Sequence, residues 1–422
     1  MIPAAERVIL VGLEHEGVSR WDLADSLDEL RQLADTAGAR VVETVVQRLD
    51  KPTAPFYIGK GKAEEIAKTS GEKQATSVIF DDELSPAQSR NLEELTNRKV
   101  IDRTQLILDI FASRARTREG RLQIELAQLQ YLLPRLTGMW SHLSRQTGGI
   151  GTRGPGETQL EVDRRRVQDR IARLERELAE VRKHRGIQRE GRLRHNWPFV
   201  SLVGYTNAGK SSLLNRLTGS AVEARDRLFE TLDPTTRQIT LPNHQKVLLT
   251  DTVGFIRKLP HTLIESFKAT LEEVQLANLL IHVVDLAHPR HADQIEAVDA
   301  VLGELDAQGK QTIMVFNKCD LVTDPEIVQS NLARYPGSVA VSAHTGEGIP
   351  RLIEELEIRL AAWRMQGRFE IPLTEPALLA ELHRVGHVLD LKYGESTAMI
   401  TAHIPPELIG RLSKYDAGPP EK

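Results

Sequence analysis

The chain lacks, or has little of, the features that mark disulfide-rich, membrane-spanning, secreted or strongly charged proteins. Its single cysteine, Cys319, excludes an internal disulfide and is typical of a protein in a reducing cytoplasm. No apolar run is long enough to cross a bilayer, and MIPAAERVILVGLEHEG lacks the basic start and cleavage site of a secretion signal. A net charge of only −4 means that any nucleic-acid binding must come from a local patch. We therefore expect a cytoplasmic protein, and its length predicts about two to four domains.

Residues 1–113 alternate strand-like and helix-like runs, which predicts an N-terminal α/β domain. β-Branched residues favour strands in RVILVGL, ARVVETVVQ, TSVIFDD and KVIDRTQLILDI, whereas WDLADSLDELRQLADTAG and SPAQSRNLEELTNR have helical periodicity. Between them, YIGKGKAEEI (57–66) places two glycines and two lysines before a helix. This segment is either a flexible turn or a loop in which Lys60 and Lys62 hold phosphate of a nucleotide or of RNA. Its spacing does not match a complete P-loop.

Residues 114–196 carry two matching apolar seams, which predict an antiparallel helical hairpin. The seam positions step by four and three along the chain, as in a coiled coil, at Leu122, Leu126, Leu129, Leu133, Leu136 and at Val167, Ile171, Leu174, Leu178, Val181. We expect Pro134 to kink or end the first helix, because proline lacks the N–H that a helix interior needs.

The segment that joins the two seams, SRQTGGIGTRGPGETQLE (144–161), is too rich in glycine for a helix. Residues 145–194 hold fourteen Lys/Arg and eight Asp/Glu, a local excess of six positive charges. The helical arginines alone are equally well explained as a solvated face. At the tip, however, glycine allows close approach to a surface, and arginine binds phosphates and stacks on bases. We therefore predict RNA contacts at the tip, through Arg145, Gly149 and Arg153.

Residues 197–363 contain a P-loop between a strand and a helix. The strand FVSLVG leads into GYTNAGKS (204–211), the G-x-x-x-x-G-K-S motif in the context that it requires. Loop amides, the Lys210 ammonium and the Ser211 hydroxyl suit a phosphate chain and Mg²⁺. We predict that the nucleotide is bound here by Gly204, Tyr205, Thr206, Asn207, Ala208, Gly209, Lys210 and Ser211.

The base is selected by NKCD (317–320), which follows the apolar strand QTIMVF. The Asp320 carboxylate can accept from N1–H and N2–H₂ of guanine, and adenine has no N1 proton to offer it. Asn317 would tie the loop to the P-loop, and the Lys318 stem would lie over the base, with Cys319 packed behind. SAHTG (342–346) offers backbone amides to the guanine O6 from Ser342, Ala343 and His344, chiefly from Ala343. The spacing therefore predicts a GTP site.

Two segments are predicted to sense the third phosphate. In DTVG the Asp251 carboxylate should reach Mg²⁺ through water, and the Gly254 amide should bind the γ-phosphate, with Thr252 and Val253 between them. In the other segment, LFETLDPTTR, a threonine should bind Mg²⁺ when the third phosphate is present. Thr231, Thr235 and Thr236 compete, and we prefer Thr231 because the other two abut a strand. The GTP contacts predicted in this segment are Phe229, Glu230, Thr231, Leu232 and Asp233.

Phe255 follows the DTVG glycine, where many such enzymes place a polar residue that orients the attacking water. A phenyl ring cannot do this, so the catalytic residue is not identified by the sequence. Either Phe255 only packs and another residue holds the water, or a partner supplies the missing group.

Residues 364–422 read as strand, helix, strand, strand, helix, and predict a small C-terminal α+β domain. The predicted class is therefore α/β, a P-loop GTPase domain (197–363) with an N-terminal α/β domain (1–113), an antiparallel helical hairpin (114–196) and this appendage (364–422).

The sequence resembles the HflX family of translation-factor-related GTPases over nearly its whole length. The resemblance rests on GGIGTRGPGETQLE, GYTNAGKSSLLNRLTG, LFETLDPTTR, DTVGFIRKLP and NKCD. It implies a GTPase that binds the large (50S) ribosomal subunit and splits or rescues stalled 70S ribosomes under stress. It also implies RNA contacts in the N-terminal domain, a hairpin directed at the peptidyl-transferase centre, Thr231 as the switch threonine and an apolar residue at position 255.

Two other functions fit parts of the sequence. One is a regulatory GTP/GDP switch that acts on a protein partner, against which the basic, glycine-tipped hairpin argues. The other is an RNA-remodelling NTPase with a second nucleotide site in the N-terminal domain, supported only by YIGKGK. For the GTPase we expect Mg²⁺ as cofactor, GTP as substrate and GDP as product, and a monomeric protein without a membrane span.

Overall fold

A computed structural model of the chain describes residues 6–16, 20–139, 155–193, 197–219, 228–229, 231–232, 234–258, 271–361, 365–404 and 406–418. Its described residues divide between two compact units. The first comprises Met1–Val181, Asp226–Leu232 and Lys258–Lys268, and the second comprises Arg182–Arg225, Asp233–Arg257 and Ala269–Lys422. None of the helices in the described ranges is both long and apolar enough to span a membrane.

The first unit begins with a four-stranded parallel sheet in the order β2-β1-β3-β4. Its strands are β1 (Arg7–Glu14), β2 (Arg40–Arg48), β3 (Ser77–Phe80) and β4 (Lys99–Asp102). Its helices are α1 (Arg20–Thr36), α2 (Lys60–Glu72), α3 (Pro86–Thr96) and α4 (Arg103–Arg114). β1 and β3 are almost wholly buried, as expected for parallel strands covered on both faces. The predicted N-terminal α/β arrangement is confirmed.

The run KVIDRTQLILDI is a strand only as far as Asp102, so the prediction of a strand through the whole run is wrong. Asp102 caps helix α4, since its Oδ1 accepts a hydrogen bond from the Gln105 amide at 2.9 Å. Beyond the cap the apolar residues follow helical spacing, and one helical face is buried at Leu106, Ile107, Ile110 and Phe111. An aspartate cap therefore outweighs the β preference of the isoleucines.

Two long helices follow, α5 (Arg118–Met139) and α6 (Pro155–Leu193). The predicted seams meet in one apolar cluster, formed by Leu122, Leu126, Leu129, Ile171, Leu174, Leu178 and Val181. The Arg170 guanidinium reinforces it with two hydrogen bonds to the Glu125 carboxylate, at 2.8 and 2.9 Å. Pro134 lies inside α5 and does not end the helix, so of the two predicted effects only a kink stays a prediction.

The second unit contains a six-stranded sheet in the order β10-β9-β8-β5-β7-β6, parallel except for β6. Its strands are β5 (Phe199–Gly204), β6 (Thr235–Thr240), β7 (Lys246–Asp251), β8 (Leu279–Asp285), β9 (Thr312–Asn317) and β10 (Val339–Ala340). Its helices are α7 (Lys210–Thr218), α8 (His291–Glu304), α9 (Pro325–Arg334) and α10 (Ile349–Leu360). The loops at the carboxyl ends of β5, β7, β8 and β9 meet at one edge, where nucleotides bind in sheets of this kind.

The C-terminal part forms a three-stranded antiparallel sheet in the order β11-β13-β12. Its elements are β11 (Met365–Pro372), α11 (Pro376–Val385), β12 (His387–Tyr393), β13 (Thr397–Ile404) and α12 (Pro406–Leu412). Alternate residues of β13 are buried beneath the helices, as a half-exposed sheet requires. The predicted order of strand, helix, strand, strand, helix is confirmed.

Candidate nucleotide-binding site

The P-loop lies between the end of β5 and the start of α7, as its spacing predicts. Gly209 caps α7 with a φ of 91°, and a side chain there would collide with the amide of Asn317. The Lys210 Nζ is buried and donates to the carbonyl oxygens of Gly204 at 3.1 Å and Tyr205 at 2.8 Å. The loop is thus folded around an ammonium group that phosphate oxygens can take over.

The Lys210 side chain is buried from solvent. Burial lowers the pKa of its ammonium to about 8, against the opposing attraction of Asp251. A phosphate chain beside the ammonium would favour its charged form again. The site is therefore suited to an anion.

The base loop is held by the side chain of Asn317 at the end of β9. Its Nδ2 donates to the carbonyl oxygen of Ala208 at 2.8 Å, and its Oδ1 accepts from the Ala343 amide at 3.0 Å. One buried side chain therefore joins the P-loop, NKCD and SAHTG, three segments that the sequence predicted to share a ligand. The side chain of Asp320 is exposed and Cys319 is half-buried, with burial raising the pKa of the Cys319 thiol.

Asp285 is a residue of this site that the sequence analysis missed. It ends β8, and its Oδ2 accepts a hydrogen bond from the Lys318 ammonium at 2.6 Å. This ion pair fixes the lysine whose stem was predicted to lie over the base. The position of Asp285 at the end of an apolar strand was visible in the sequence, but its pairing with Lys318 was not.

The SAHTG loop is closed by its own first residue. The Ser342 Oγ is buried and accepts from the Thr345 amide at 3.0 Å, while its backbone N–H donates to the Glu347 carbonyl at 2.9 Å. The next two residues, Ala343 and His344, follow at the turn. Arg216 of α7 donates to the Thr345 carbonyl at 2.6 Å and holds the loop beside the P-loop helix.

Asp251 and Ser211 form the candidate metal site. The Ser211 Oγ donates to the Asp251 Oδ2 at 2.6 Å, so two oxygen ligands of the kind that Mg²⁺ prefers lie together. Thr252 turns inward and donates to the Leu202 carbonyl at 2.6 Å, and Val253 is buried. Hard oxygen ligands at the P-loop helix fit the ion that the sequence analysis expects.

Gly254 and Phe255 lie directly against the P-loop. A side chain at Gly254 would come within 2.8 Å of the Thr206 Cα and 3.0 Å of the Lys210 Nζ, so only glycine fits. The Phe255 amide donates to the Gly204 carbonyl at 3.1 Å, and the Thr206 amide donates to the Phe255 carbonyl at 2.7 Å. The Phe255 side chain is only 2% exposed. Its ring is therefore packed away from any attacking water.

Of the LFETLDPTTR segment, Leu228 and Leu232 are buried and Thr231 is half-buried. Phe229 was predicted to contact the nucleotide, but its ring lies edge-on to Phe111 of α4, with 4.6 Å between centroids. Glu230 and Asp233 lie outside the described residues.

The rival threonines lie in a strand. Thr235 and Thr236 begin β6, and the Thr236 hydroxyl is 2.7 Å from that of Thr250 on β7. Both lie in a strand, as the sequence indicated, and Thr231 as the switch threonine stays a prediction.

The two lysines of YIGKGK lie at the start of α2 and are paired within that helix. Lys62 is 2.7 Å from the Glu65 carboxylate, and Lys60 is 3.9 Å from that of Glu64. The Gly59 amide, which would face a phosphate, donates instead to the Gln47 Oε1 at 2.8 Å. This arrangement gives no support to a second nucleotide site. The other predicted RNA contacts, Arg145, Gly149 and Arg153, lie outside the described residues.

Three family models match the chain in succession. They are described as "GTP-binding GTPase N-terminal" (residues 24–112), "GTP-binding GTPase Middle Region" (114–192) and "50S ribosome-binding GTPase" (199–318). Among solved structures, a GTP-binding protein from Sulfolobus solfataricus in complex with GDP is 25% identical. The match covers 84% of this chain and 98% of that one, with a TM-score of 0.45.

Two relatives that match most of the chain have the same name, GTPase HflX. "GTPase HflX" of Lacrimispora saccharolytica is 48% identical over 408 residues, 97% of this chain and 96% of the relative. "GTPase HflX" of Escherichia coli is 48% identical over 383 residues, 90% of this chain and 89% of the relative. With the P-loop, the base loop and the phosphate-sensing segment in place, the chain belongs to the HflX family and is a GTPase.

Proposed function

We propose that this GTPase binds the large ribosomal subunit and splits stalled 70S ribosomes into subunits under stress. The observation that carries the proposal is the match of residues 199–318, which hold the P-loop, both predicted phosphate-sensing segments and the start of NKCD, to a ribosome-binding GTPase model. The hairpin is consistent with the proposal, since residues 145–194 carry an excess of six positive charges, half of it on α6. Lysine and arginine on such an arm can neutralise the phosphates of an RNA surface. We place this function in the cytoplasm and expect the protein to act as a monomer.

Nucleotide binding follows from the contacts of the P-loop. Phosphate oxygens would replace the Gly204 and Tyr205 carbonyls as partners of Lys210, and the Asp320 carboxylate would accept the two guanine N–H donors. Ser211, Thr231 and, through water, Asp251 would hold Mg²⁺, which neutralises charge on the phosphates when bound. The Gly254 amide would then bind the third phosphate, and the segment that follows would report its presence.

Hydrolysis is expected to be slow without a partner. The buried Phe255 ring cannot orient water, and its backbone is engaged by two hydrogen bonds to the P-loop. In enzymes of this type, a group supplied by a partner raises the rate by about 10³–10⁵. We propose that the large ribosomal subunit supplies or positions that group.

The hairpin is the working arm in this account. The leucine cluster and the Arg170–Glu125 pair stiffen its two helices against each other. A stiff arm can transmit force to its tip, where Arg145, Gly149 and Arg153 would contact ribosomal RNA. Glycine there permits close approach to a crowded RNA surface.

Sedimentation with purified 50S and 70S particles tests the proposal. The protein should pellet with 50S subunits in a non-hydrolysable GTP analogue and remain largely in the supernatant with GDP. Its GTP turnover should rise about tenfold or more when 50S subunits are added. Equal pelleting in both nucleotides, or unchanged turnover, would overturn the proposal and favour a switch that acts on a protein partner.

A further inference from the structure

The phosphate-sensing segment that begins with DTVG is described from Asp251 to Lys258. Two carboxylates of the N-terminal domain hold the side chain of Lys258. The Lys258 Nζ lies 2.5 Å from the Asp81 Oδ2 and 2.6 Å from the Asp82 Oδ1. Both aspartates follow the end of β3, 176 or more positions away in the sequence. A lysine near the γ-phosphate sensor is thus bound by residues with no direct part in nucleotide binding.

The Asp81 carboxylate needs nearby cations because it is buried, with none of its side chain exposed. Burial alone would raise the pKa of this carboxyl, but Arg103 and Lys258 outweigh burial and hold the pKa below its usual value. Arg103 Nη1 donates to the Asp81 Oδ1 at 2.7 Å, and the Ser26 hydroxyl donates to its Oδ2 at 2.7 Å. Removing one of two cations from a buried carboxylate is costly. The Lys258 side chain is itself 37% exposed, but it is held by a carboxylate that is fully buried.

A second ion pair links the end of the sheet to the hairpin. Asp102 lies opposite Phe80 in the β3–β4 register and directly precedes Arg103 in the chain. Its Oδ2 accepts a hydrogen bond from the Arg135 Nη2 of α5 at 3.2 Å, and the same nitrogen donates to the Leu84 carbonyl at 2.8 Å. Ion pairs and one peptide bond therefore connect Lys258 with the first helix of the hairpin.

Toward the nucleotide, two of the three residues before Lys258 are hydrogen-bonded to the P-loop. Phe255 forms the backbone bridge described above, and the Arg257 amide donates to the Tyr205 Oη at 2.9 Å. The Arg257 side chain lies 3.4 Å from the Asp293 carboxylate. The chain then turns at Lys258, whose φ of 55° is unusual for a residue with a side chain. A movement of Gly254 toward phosphate is thus separated from the carboxylates by only three residues.

We propose that Lys258 is a positioning residue, whose grip on Asp81 and Asp82 couples the phosphate-sensing segment to the N-terminal domain and its hairpin. The proposal deepens the proposed function, because it names the route by which ribosome contact at the arm would alter hydrolysis. The coupling itself exists with or without ribosomes. By thermodynamic linkage it acts in both directions.

Hydrogen exchange of the full-length protein tests the coupling without ribosomes. Amides at 82–85 and 131–139 should exchange at different rates in GDP and in a non-hydrolysable GTP analogue. Lys258→Ala should abolish this difference, Lys258→Arg should keep it, and Arg257→Ala, which removes a neighbouring positive charge, should keep it too. A difference that persists in Lys258→Ala, or is absent from the unaltered protein, overturns the proposal.

Turnover with 50S subunits supplies the second readout. Lys258→Ala should still bind the subunits, but the ratio of stimulated to basal turnover should fall about fivefold or more, the low end of typical coupling energies. Lys258→Asp combined with Asp82→Lys should recover part of the ratio, which loss of fold stability would not allow. An unchanged ratio with intact binding overturns the proposal and leaves the ribosomal function standing. Failure of the unaltered protein to bind subunits overturns the ribosomal function, and hydrogen exchange then decides on the coupling.

Discussion

The Asn317 side chain donates a hydrogen bond to the carbonyl oxygen of Ala208, 2.8 Å away, and joins the base loop to the P-loop. Its oxygen also accepts from the Ala343 amide, so the loops that surround the base and the phosphates are positioned by one buried residue. Recognition of guanine is then left to the exposed Asp320 carboxylate, three residues further on.

Base selection is tested by Asp320→Asn. The amide should lose GTP affinity and gain affinity for xanthosine triphosphate, whose C2 oxygen accepts a hydrogen bond from the new NH₂ group. Unpaired polar groups in such sites discriminate by up to about 10⁴. Competition binding with a fluorescent GTP analogue measures the change, and Asp324→Asn, the same substitution at the cap of α9, is the matched control. A mutant that still prefers GTP would show that Asp320 does not read the base.

Phe255→Gln tests the packing of the phosphate-sensing segment. In this arrangement the side chain at 255 is buried, so the new amide should not raise GTP turnover in the absence of ribosomes. Stability should fall, because the ring packing is lost and an amide is buried; Phe→Ala changes in cores cost about 3–5 kcal/mol. Turnover under saturating GTP and urea unfolding measure the two effects. A large rise in turnover would mean that the side chain at 255 reaches the attacking water.

His282 predicts a pH dependence of stability. It is buried in β8, and burial lowers its pKa to about 4, with Lys210 acting in the same direction. The nearest acidic partner, Asp299, is 4.0 Å away. Because the folded-state pKa lies below the ordinary value of 6.5, the unfolded chain binds the proton first as pH falls. The contribution of neutral His282 to the free energy of unfolding is therefore complete above about pH 6.5. It should be lost as the pH falls from about 6.5 to about 4, by at most ~3 kcal/mol.

Urea unfolding at about pH 7 and about pH 5 measures this loss. His282→Gln, which cannot titrate, should flatten the pH dependence in that window, whereas the surface substitution His383→Gln should not. Asp81 does not interfere, since its lowered pKa places its own loss of stability below the usual carboxyl range. Equal pH dependence in all three proteins would show that His282 titrates normally.

The candidate nucleotide loops could be located from the sequence because each is a local motif at a strand end. KVIDRTQLILDI was misread because β-branched residues suit a strand and a buried helix face alike, and Asp102 decides between them. The pairs Lys318–Asp285 and Lys258–Asp81 were missed for another reason. Their partners lie 33 and 177 positions apart, and no spacing rule links residues brought together only by the fold.

The hairpin tip carries the central claim, that this GTPase uses its arm to separate ribosomal subunits. Replacing residues 146–156 with a short Gly-Ser turn should leave GTP affinity unchanged, since no nucleotide loop is altered. Ribosome binding should weaken and lose part of its salt dependence, because neutralised phosphates set that slope. A second variant exchanges only Gly148, Gly149 and Gly151 for serine, keeps the tip's length and charge, and so tests the close approach that glycine permits.

Light scattering of 70S particles with GTP present measures splitting most directly. Scattering should fall rapidly with the intact protein, and the tip replacement should lose much more of its splitting activity than of its ribosome binding. Full splitting by the protein without its tip would contradict the account and would make the tip only a turn between two helices.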